Sequence, residues 1–324
     1  MTQIGLPYRI RPNKFIDREL FAELVSLLVA EADPGEYAYV SMGGKHLSDH
    51  LAMYRRAGIR KLYAFDNDPR ITDRQRFNAP FEGVICESHG SEELPADIQE
   101  IVTSLDANRV IIWLDFTTAE HFKQLKEVEA ITAKLASEDI LRVTMNIEFS
   151  NLMQRTAELT AAQRELSTEE QRALLLRRYL GVYMPRDLNE LSNEGIAVAV
   201  ARSIERACEL GGRAADQRTS PVPLLVTNYK DTTSMLTATF RMTNGTRPLD
   251  PPKGWQFLPG EGLADIEKIV APDLSPREQY ALDKCMHEDA DVIQEKLGFD
   301  LDGPAIGAYE RFHRFFPTFQ SVNE

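Results

Sequence analysis

A pair of glycines and a group of acidic residues near the amino terminus have the types and spacing of a ligand site. Ser41-Met42-Gly43-Gly44 follows an apolar run that begins at Tyr37, and Asp66-Asn67-Asp68 follows the next apolar run, which begins at Leu62. Glycine allows a ligand to approach the backbone closely, and a carboxylate can accept both hydrogen bonds of a ribose diol. The pattern predicts a strand, a glycine turn, a helix and a second strand that ends in acids.

The acidic residues after the second apolar run have different expected roles. Asp66 is the predicted acceptor for ribose hydroxyl groups, and the alternative is a turn or a helix cap. Asp68 is predicted to cap the next helix, because Pro69 suits a first helical turn. Asn67, which lies between them, is assigned with Asp66 to the binding site.

The apolar runs alternate with helical stretches, which predicts a doubly wound α/β sheet. Apolar residues recur at helical spacing after Pro12 and predict a helix that starts near Asp17, before the first strand. The predicted strands are Tyr37–Val40, Leu62–Phe65, Val84–Cys86, Val110–Leu114 and Ile140–Ile147. Each apolar run is short and is bounded by polar residues, as is typical of buried parallel strands.

The composition changes after the fifth predicted strand. Residues 152–211 are rich in Ala, Leu, Glu and Arg and predict helices, with a break at Gly181–Pro185. Two β-rich runs within Pro223–Met242 predict an antiparallel hairpin. Five parallel strands closed by such a hairpin form the sheet of class I methyltransferases, whereas a nicotinamide-binding sheet would continue with a parallel strand. Ser275-Pro276-Arg277-Glu278 predicts a capping box and a helix to about Leu297.

The predicted fold is therefore a Rossmann-like, doubly wound α/β sheet of methyltransferase type, with seven strands, a helical insertion and a carboxyl-terminal helical segment. We divide the chain into an amino-terminal segment and helix (1–36), the Rossmann-like core (37–150), the helical insertion (151–221), the hairpin that completes the sheet (222–258) and the carboxyl-terminal helical segment (259–324).

The glycine turn decides between two kinds of cofactor. Gly43-Gly44 lacks the third glycine of the GxGxxG loop that a pyrophosphate normally needs. S-adenosylmethionine carries no phosphate, so the turn favours this methyl donor over a dinucleotide. Ser41, Met42, Gly43 and Gly44 are therefore predicted to bind the donor. The alternative is a pair of glycines that only closes a strand-to-helix turn.

Two further strand ends would complete such a site. Ser88 and His89 follow the third predicted strand, where the adenine amino group is usually met, and the alternative for His89 is a surface position. Asp115 ends the fourth predicted strand and is the predicted catalytic residue, because a carboxylate there can orient or deprotonate an acceptor, or bind the amino group of the donor. The alternative for Asp115 is a helix cap.

Basic residues and histidines near the amino terminus could have other binding roles. Arg9, Arg11 and Lys14 form a basic segment in an acidic chain and are predicted to bind an anionic group of the substrate, with a solvated face as the alternative. His46 and His50 are four residues apart on one face of the predicted helix, which permits metal binding. No third ligand is identifiable, so we assign no metal.

Composition disfavours several classes of function. The net charge of -13 disfavours attraction to nucleic acid or to an anionic membrane, so a small-molecule or protein acceptor is expected. The 3 cysteines contain no CxxC pair, which indicates neither a disulfide framework nor a zinc site. No apolar run reaches the roughly 18 residues needed to cross a bilayer. A soluble, cytoplasmic protein is therefore expected.

Several short motifs occur together in this chain. They are Tyr8–Lys14 with Asp17-Arg18, Ser41–Gly44, Arg74–Asn78 and Ile112–Phe116. With these motifs, roughly the first half of the chain resembles a bacterial group of O-methyltransferases within the class I S-adenosylmethionine-dependent superfamily. The resemblance implies donor binding at Ser41, Gly43, Gly44 and Asp66, and a site lip at Asp115. The chain departs from the acidic-x-Gly-x-Gly loop of the wider superfamily.

The leading hypothesis is an enzyme that transfers the methyl group of S-adenosylmethionine to an oxygen or nitrogen acceptor. A second hypothesis is a non-catalytic, Rossmann-like module that senses a nucleotide or binds a partner protein. A third is a nucleic-acid methyltransferase that uses the basic amino-terminal segment. The helical insertion also offers a surface through which the chain could form a homo-oligomer.

Overall fold

The computed structural model of the chain describes residues 11–30, 32–149, 152–245, 251–286, 288–301 and 304–317. Its strands are Tyr37–Ser41 (β1), Lys61–Phe65 (β2), Ile85–Glu87 (β3), Arg109–Asp115 (β4), Ile140–Asn146 (β5), Ser220–Lys230 (β6), Ser234–Thr243 (β7) and Glu267–Ile269 (β8). In this part of the chain they form one sheet with the order β3-β2-β1-β4-β5-β7-β6-β8.

The α-helices of the described residues are Pro12–Ala30 (α1), Ser48–Ala52 (α2), Pro69–Asn78 (α3), Leu94–Ser104 (α4), His121–Thr132 (α5), Ala161–Arg164 (α6), Thr168–Leu180 (α7), Gly195–Ala214 (α8), Pro276–Cys285 (α9), Ala290–Leu297 (α10) and Ala305–Phe312 (α11). A short 3-10 turn at Gly44–His46 precedes α2, and a π-helical stretch at Met53–Ala57 follows it. Among the residues that the structure describes, no helix has the length and apolar character needed to cross a membrane.

The strand pairing confirms the predicted topology. β1 pairs in parallel with β2 and with β4, β2 pairs with β3, and β4 pairs with β5. β7 runs antiparallel to β5, and β6 and β7 are neighbours separated by a short turn, as expected for the closing hairpin. The expectation of seven strands was wrong, because the sheet has an eighth strand, β8. The residues of β8 are Glu, Lys and Ile, so this strand has no apolar run of the kind that marks the other strands in the sequence.

Two helix boundaries differ from the expected ones. α1 begins at Pro12 rather than near Asp17, because proline is compatible with the first turn of a helix. The helix expected from Pro276 to about Leu297 is instead two helices, α9 and α10. Asp289, immediately before α10, has extended backbone angles (φ -63°, ψ 147°), so the helix cannot be continuous there.

Local hydrogen bonds confirm other expected boundaries. The N–H of Glu278 donates to Ser275 Oγ at 3.3 Å, and the N–H of Ser275 donates to Glu278 Oε2 at 2.6 Å, so the predicted capping box starts α9. The break predicted at Gly181–Pro185 is also present, because α7 ends at Leu180 and Gly181 has a positive φ of 59°.

The parallel strands are buried on both faces, which explains why they appear in the sequence as short apolar runs. All residues of β1 are buried, as are Val110–Leu114 in β4. The core also contains the guanidinium group of Arg142, whose central carbon lies 4.5 Å from the ring centre of Phe21 and 4.7 Å from that of Trp113. Arg142 Nη1 donates to Thr239 Oγ1 at 2.7 Å. Aromatic faces and a hydroxyl group therefore accommodate this buried cation.

The chain forms two compact units. The larger unit comprises residues 21–228 and 233–267, and the smaller comprises 1–20, 229–232 and 268–324, described here from residue 11 to residue 317. In the smaller unit, the N–H groups of Asn13 and Lys14 each donate to the carboxylate of Asp231 at 3.1 Å. The N–H of Ala271 donates to Asn13 Oδ1 at 2.6 Å. These bonds connect the start of α1 with two other segments of its unit.

Asp139 is a buried carboxylate at the amino ends of β4 and β5. Its side chain accepts the N–H of Val110 at 2.9 Å and the N–H of Ala136 at 2.7 Å. Burial raises the pKa of Asp139 to about 6, although the two N–H groups oppose this shift. The folded protein therefore retains a proton on Asp139 at pH values where the unfolded chain has released it.

We predict that the free energy of unfolding decreases between about pH 4 and pH 6 because of Asp139. The unfolded state binds fewer protons in this window, so rising pH favours unfolding. The Asp139→Asn variant lacks the titrating group and should lack this part of the slope. We expect the difference in the free energy of unfolding between the wild type and Asp139→Asn, measured by urea unfolding, to change by about 1 to 3 kcal/mol across this window. Parallel pH profiles would contradict the assignment.

Gly211 of α8 lies against α5, and we predict that Gly211→Ala destabilises the fold. A Cβ atom there would overlap the carbonyl oxygen of Glu129 and lie 2.8 Å from Thr132 Cβ. The expected loss is about 1 to 3 kcal/mol in urea unfolding, as for other overpacked sites. Gly307→Ala in α11 is the matched control, because a Cβ there meets no described atom within 4 Å. It should gain up to about 1 kcal/mol from helix propensity, and equal effects at both sites would contradict this account of the packing.

Candidate functional site

The strand register places the candidate residues on one edge of the sheet. Ser41, the last residue of β1, lies opposite Ala64 in β2 and opposite Trp113 in β4. The glycine turn, Asp66 and Asp115 therefore follow or end adjacent parallel strands at their carboxyl ends, with β4 beside β1 as expected. This is the edge at which open α/β sheets bind ligands.

The turn after β1 has a conformation that requires glycine. Gly43 and Gly44 have positive φ angles of 63° and 52°. A Cβ atom at Gly43 would lie 2.6 Å from Leu47 Cδ2 and 2.7 Å from His50 Cε1, so a side chain cannot be accommodated there. At Gly44, by contrast, a Cβ would meet no described atom within 4 Å. The backbone of Gly44 is thus open to an approaching ligand.

Helix α3 holds this turn from the side, which the sequence analysis did not predict. Gln75 is fully buried, and its Nε2 donates to the carbonyl oxygen of Met42 at 2.7 Å and to that of Gly44 at 3.3 Å. Asn78 Nδ2 donates to the carbonyl oxygen of Lys45 at 2.7 Å. Both residues belong to the Arg74–Asn78 motif, so this motif has a structural role in holding the turn.

Asp66 combines a local bond with an oxygen that can accept another. Its Oδ1 accepts the N–H of Asp68 at 2.9 Å, so the predicted alternative of a turn residue is present. Within the described residues this is the only hydrogen bond that its carboxylate makes. Burial raises the pKa of Asp66, the N–H of Asp68 opposes this, and the nearby charge of Asp68 adds to the rise. The second oxygen, Oδ2, can accept a bond from a ligand.

Asp68 has the capping role predicted for it. Its Oδ1 accepts the N–H of Arg70 at 3.0 Å, and Pro69 occupies the first turn of α3. The Arg70 guanidinium group, 2.7 Å from Asp68 Oδ2, lowers the pKa of that carboxyl. Asp68 therefore stabilises the start of the helix that holds the glycine turn.

His89 is fixed by its neighbours after β3. Its Nδ1 donates to the carbonyl oxygen of Gly90 at 3.0 Å, which leaves Nε2 to accept the hydroxyl proton of Tyr63 at 2.9 Å. The ring also stacks on Phe65, with ring centres 4.9 Å apart. Both ring nitrogens of His89 are thus occupied, and one face of its ring is covered by Phe65. Ser88, like Asn67, is exposed, and the predicted adenine contact stays a prediction.

Asp115 is half-buried at the end of β4, opposite Thr144 in β5. The two strand ends are joined there by the N–H of Phe116, which donates to the carbonyl oxygen of Thr144 at 3.1 Å. The next helix, α5, begins at His121, with Glu120 in the capping position. Asp115 therefore does not cap α5, and this alternative is wrong. Its catalytic role stays a prediction.

The predicted substrate-binding residues belong to a different part of the structure. Arg11 and Lys14 lie in the smaller unit, and Arg9 lies outside the described residues. Lys14 is only 4% exposed, so it is not part of a solvated face. Their proposed binding of an anionic substrate group stays a prediction.

The histidine pair is not arranged as its spacing suggested. His46 lies in the 3-10 turn and His50 in α2, so the two do not share one helix face. The ring nitrogens of His50 lie 3.2 Å from Asp49 Oδ1 and 3.0 Å from the carbonyl oxygen of Tyr63. In the described ranges, no group of three or more His, Cys, Asp or Glu residues could hold a metal ion.

Comparisons with known proteins identify a family. The family model described as "Putative O-methyltransferase" matches residues 6–324. The comparison with curated proteins found no match.

Similar solved structures are distant in sequence. Trm1 from Pyrococcus horikoshii with S-adenosyl-L-methionine is 14% identical, with 70% of this chain and 55% of that chain covered and a TM-score of 0.38. The chain thus spans about half the length of Trm1. A DUF574 family protein from Streptomyces avermitilis is 14% identical, with 70% and 82% covered and a TM-score of 0.37. A mutant of the 16S rRNA (adenine(1408)-N(1))-methyltransferase from Catenulisporales acidiphilia is 13% identical, with 72% and 93% covered and a TM-score of 0.33.

We predict that Gln75→Met loosens the glycine turn. The substitution keeps a similar volume but removes the donor to two turn carbonyl groups. The expected loss is about 1 to 3 kcal/mol in the free energy of unfolding, with faster hydrogen exchange at residues 43–47. Gln99→Met is the matched control, because Gln99 is exposed and donates to the carbonyl oxygen of Lys134 at 3.2 Å. Equal exchange in the turn of both variants would contradict this role for Gln75.

Proposed function

We propose that this chain, which belongs to the "Putative O-methyltransferase" family, binds S-adenosylmethionine at the carboxyl edge of its sheet and transfers the methyl group to an oxygen or nitrogen acceptor. The chain has the fold of S-adenosylmethionine-dependent methyltransferases, with five parallel strands and a closing antiparallel pair. The observation that carries the proposal is the adjacency of an open glycine turn and the Asp66 carboxylate on neighbouring parallel strands.

The residues at this edge fit the chemistry of such a donor. The backbone of Gly44 can be approached closely because no described atom occupies the position of a side chain. Asp66 Oδ2 would accept a hydrogen bond from a ribose hydroxyl, because Asp66 lies at the carboxyl end of a parallel strand, where such a carboxylate can reach a bound ribose. We assign the remaining contacts to Ser41, Met42, Gly43, Asn67, Ser88 and His89. When bound, the donor supplies a methyl group on a positively charged sulfur.

We assign the binding of the methyl acceptor to Asp115. Its position at the end of β4 puts it on the same edge as the glycine turn. There it would orient an acceptor hydroxyl or amine, or hold the proton that this group loses. Correct positioning of two reactants can itself supply much of the rate of a group transfer, so a strong base is not required.

The charge of the chain favours some acceptors over others. A net charge of -13 repels polyanions at long range, so we propose a small-molecule or protein acceptor rather than nucleic acid. A cationic or neutral acceptor would approach such a protein more readily than an anionic one. We propose that a local group of basic residues contacts an anionic group of the substrate despite the negative charge of the whole chain. These residues are Arg9, Arg11 and Lys14.

We predict that calorimetry detects binding of S-adenosylmethionine and its demethylated product, but not of NAD. Asp66→Asn should weaken donor binding by about 1 to 3 kcal/mol, because a charge-assisted bond to the ribose is lost. Asp73→Asn in α3, the helix that follows Asp66, is the matched control, since Asp73 is exposed and pairs with Arg76 at 3.0 Å. It should leave the dissociation constant unchanged.

Two results would contradict this proposal. If the wild-type protein binds neither the donor nor its product at millimolar concentration, donor binding is wrong. If it binds both but Asp66→Asn keeps the same dissociation constant and only loses stability, then Asp66 is a turn residue and the ribose contact lies elsewhere.

A further inference from the structure

A buried carboxylate lies behind the glycine turn and is connected to it by hydrogen bonds. Asp49, which is 6% exposed, accepts at Oδ2 the hydroxyl protons of Tyr39 at 2.8 Å and Ser41 at 2.6 Å. Ser41 Oγ in turn accepts the N–H of Gly43 at 3.2 Å. A continuous path of hydrogen bonds therefore runs from Asp49 through Ser41 to the backbone of the turn.

Tyr39 can only donate in this arrangement. Burial is the largest cause that raises the pKa of Tyr39 well above its usual range, and the charge of Asp49 is the second. The hydroxyl of Tyr39 therefore keeps its proton. The same Asp49 oxygen thus receives two hydroxyl donors from β1. These bonds fix the carboxylate against the strand that leads into the glycine turn.

His50 contacts the second oxygen of Asp49 and the backbone of β2. Its ring is fully buried, and Nε2 lies 3.0 Å from the carbonyl oxygen of Tyr63, which can only accept, so Nε2 carries a proton. Nδ1 lies 3.2 Å from Asp49 Oδ1, so the imidazole ring also contacts the carboxylate. The edge of the ring at Cε1 also fills the space that a side chain at Gly43 would need.

Stability alone is a weak explanation for this pair. Burying a carboxylate and an imidazole is costly, and apolar residues of similar volume are often as stabilising as a buried ion pair. The hydrogen bonds of Asp49 nevertheless lead through Ser41 to Gly43, next to the open backbone of Gly44. A role in shaping that segment explains both its cost and its position.

We propose that Asp49 and His50 are positioning residues of the donor site. Through Ser41 they hold Gly43 in its left-handed conformation and so keep the Gly44 side of the turn open to S-adenosylmethionine. This inference rests on the donor binding proposed above and extends the site to two residues that do not touch the donor.

A double-mutant cycle tests this inference. Ser41→Ala, Asp49→Asn and the double variant are compared with the wild type by calorimetry with S-adenosylmethionine and by urea unfolding. Each single variant should bind the donor about tenfold or more weakly, the scale of one lost charge-assisted hydrogen bond. The double variant should bind no more weakly than the weaker single variant, because both changes interrupt the same path.

Asp139→Asn is the matched control. It alters another buried carboxylate, at the opposite edge of the sheet, and should lose stability without changing the dissociation constant. Asp49→Asn should also weaken donor binding by the same factor whether it is introduced into the wild type or into the Asp139→Asn variant. A merely structural role of Asp49 would instead make both carboxylate variants lose stability with unchanged binding.

The possible outcomes separate this inference from the proposed function. If the wild type does not bind the donor, both are wrong. If the wild type binds and the folded Ser41→Ala and Asp49→Asn variants bind equally well, only the positioning role is wrong. Losses in binding that simply add in the double variant also overturn it. If Asp49→Asn does not fold, Tyr39→Phe, which removes the other hydroxyl donor to Asp49 Oδ2 and leaves Ser41 in place, decides instead: weaker donor binding by the folded variant supports the role and unchanged binding overturns it.

Discussion

The backbone must turn sharply after β1 while every buried polar group in the turn finds a partner, and the candidate site depends on how the chain meets this requirement. Gln75 satisfies carbonyl groups of the turn from one side. Ser41 satisfies the N–H of Gly43 from the other. Side chains from both sides thus supply hydrogen bonds to the backbone of the turn. The turn keeps its shape without a side chain at Gly44, so the backbone of Gly44 is accessible.

The sheet order turns this local arrangement into a site. β1 lies between β2 and β4, so Asp66, which follows β2, and Asp115, which ends β4, lie at the same edge of the sheet on either side of β1. Contacts at other places hold the rest of the core together. Asp139 joins β4 to the start of β5 through the N–H of Val110, and Gly211 allows α8 to lie close to α5 behind the sheet.

Much of the fold was predictable because it is written in local patterns. Buried parallel strands give short apolar runs, and the caps at Asp68 and Ser275 need only neighbouring residues. The roles of Gln75 and Asp49 were not predictable, because their hydrogen bonds join segments whose approach depends on tertiary packing. The spacing of His46 and His50 was misleading for a related reason: it assumed one continuous helix, whereas the chain forms a 3-10 turn and a short helix there.

The most direct measurement is a crystal structure of the protein with S-adenosylmethionine or its demethylated product bound. The account predicts that the ligand lies along the open side of Gly44 and that its ribose hydroxyl groups are within hydrogen-bonding distance of the Asp66 carboxylate. A ligand bound at another edge of the sheet, or one whose ribose contacts neither Asp66 nor the glycine turn, would contradict it.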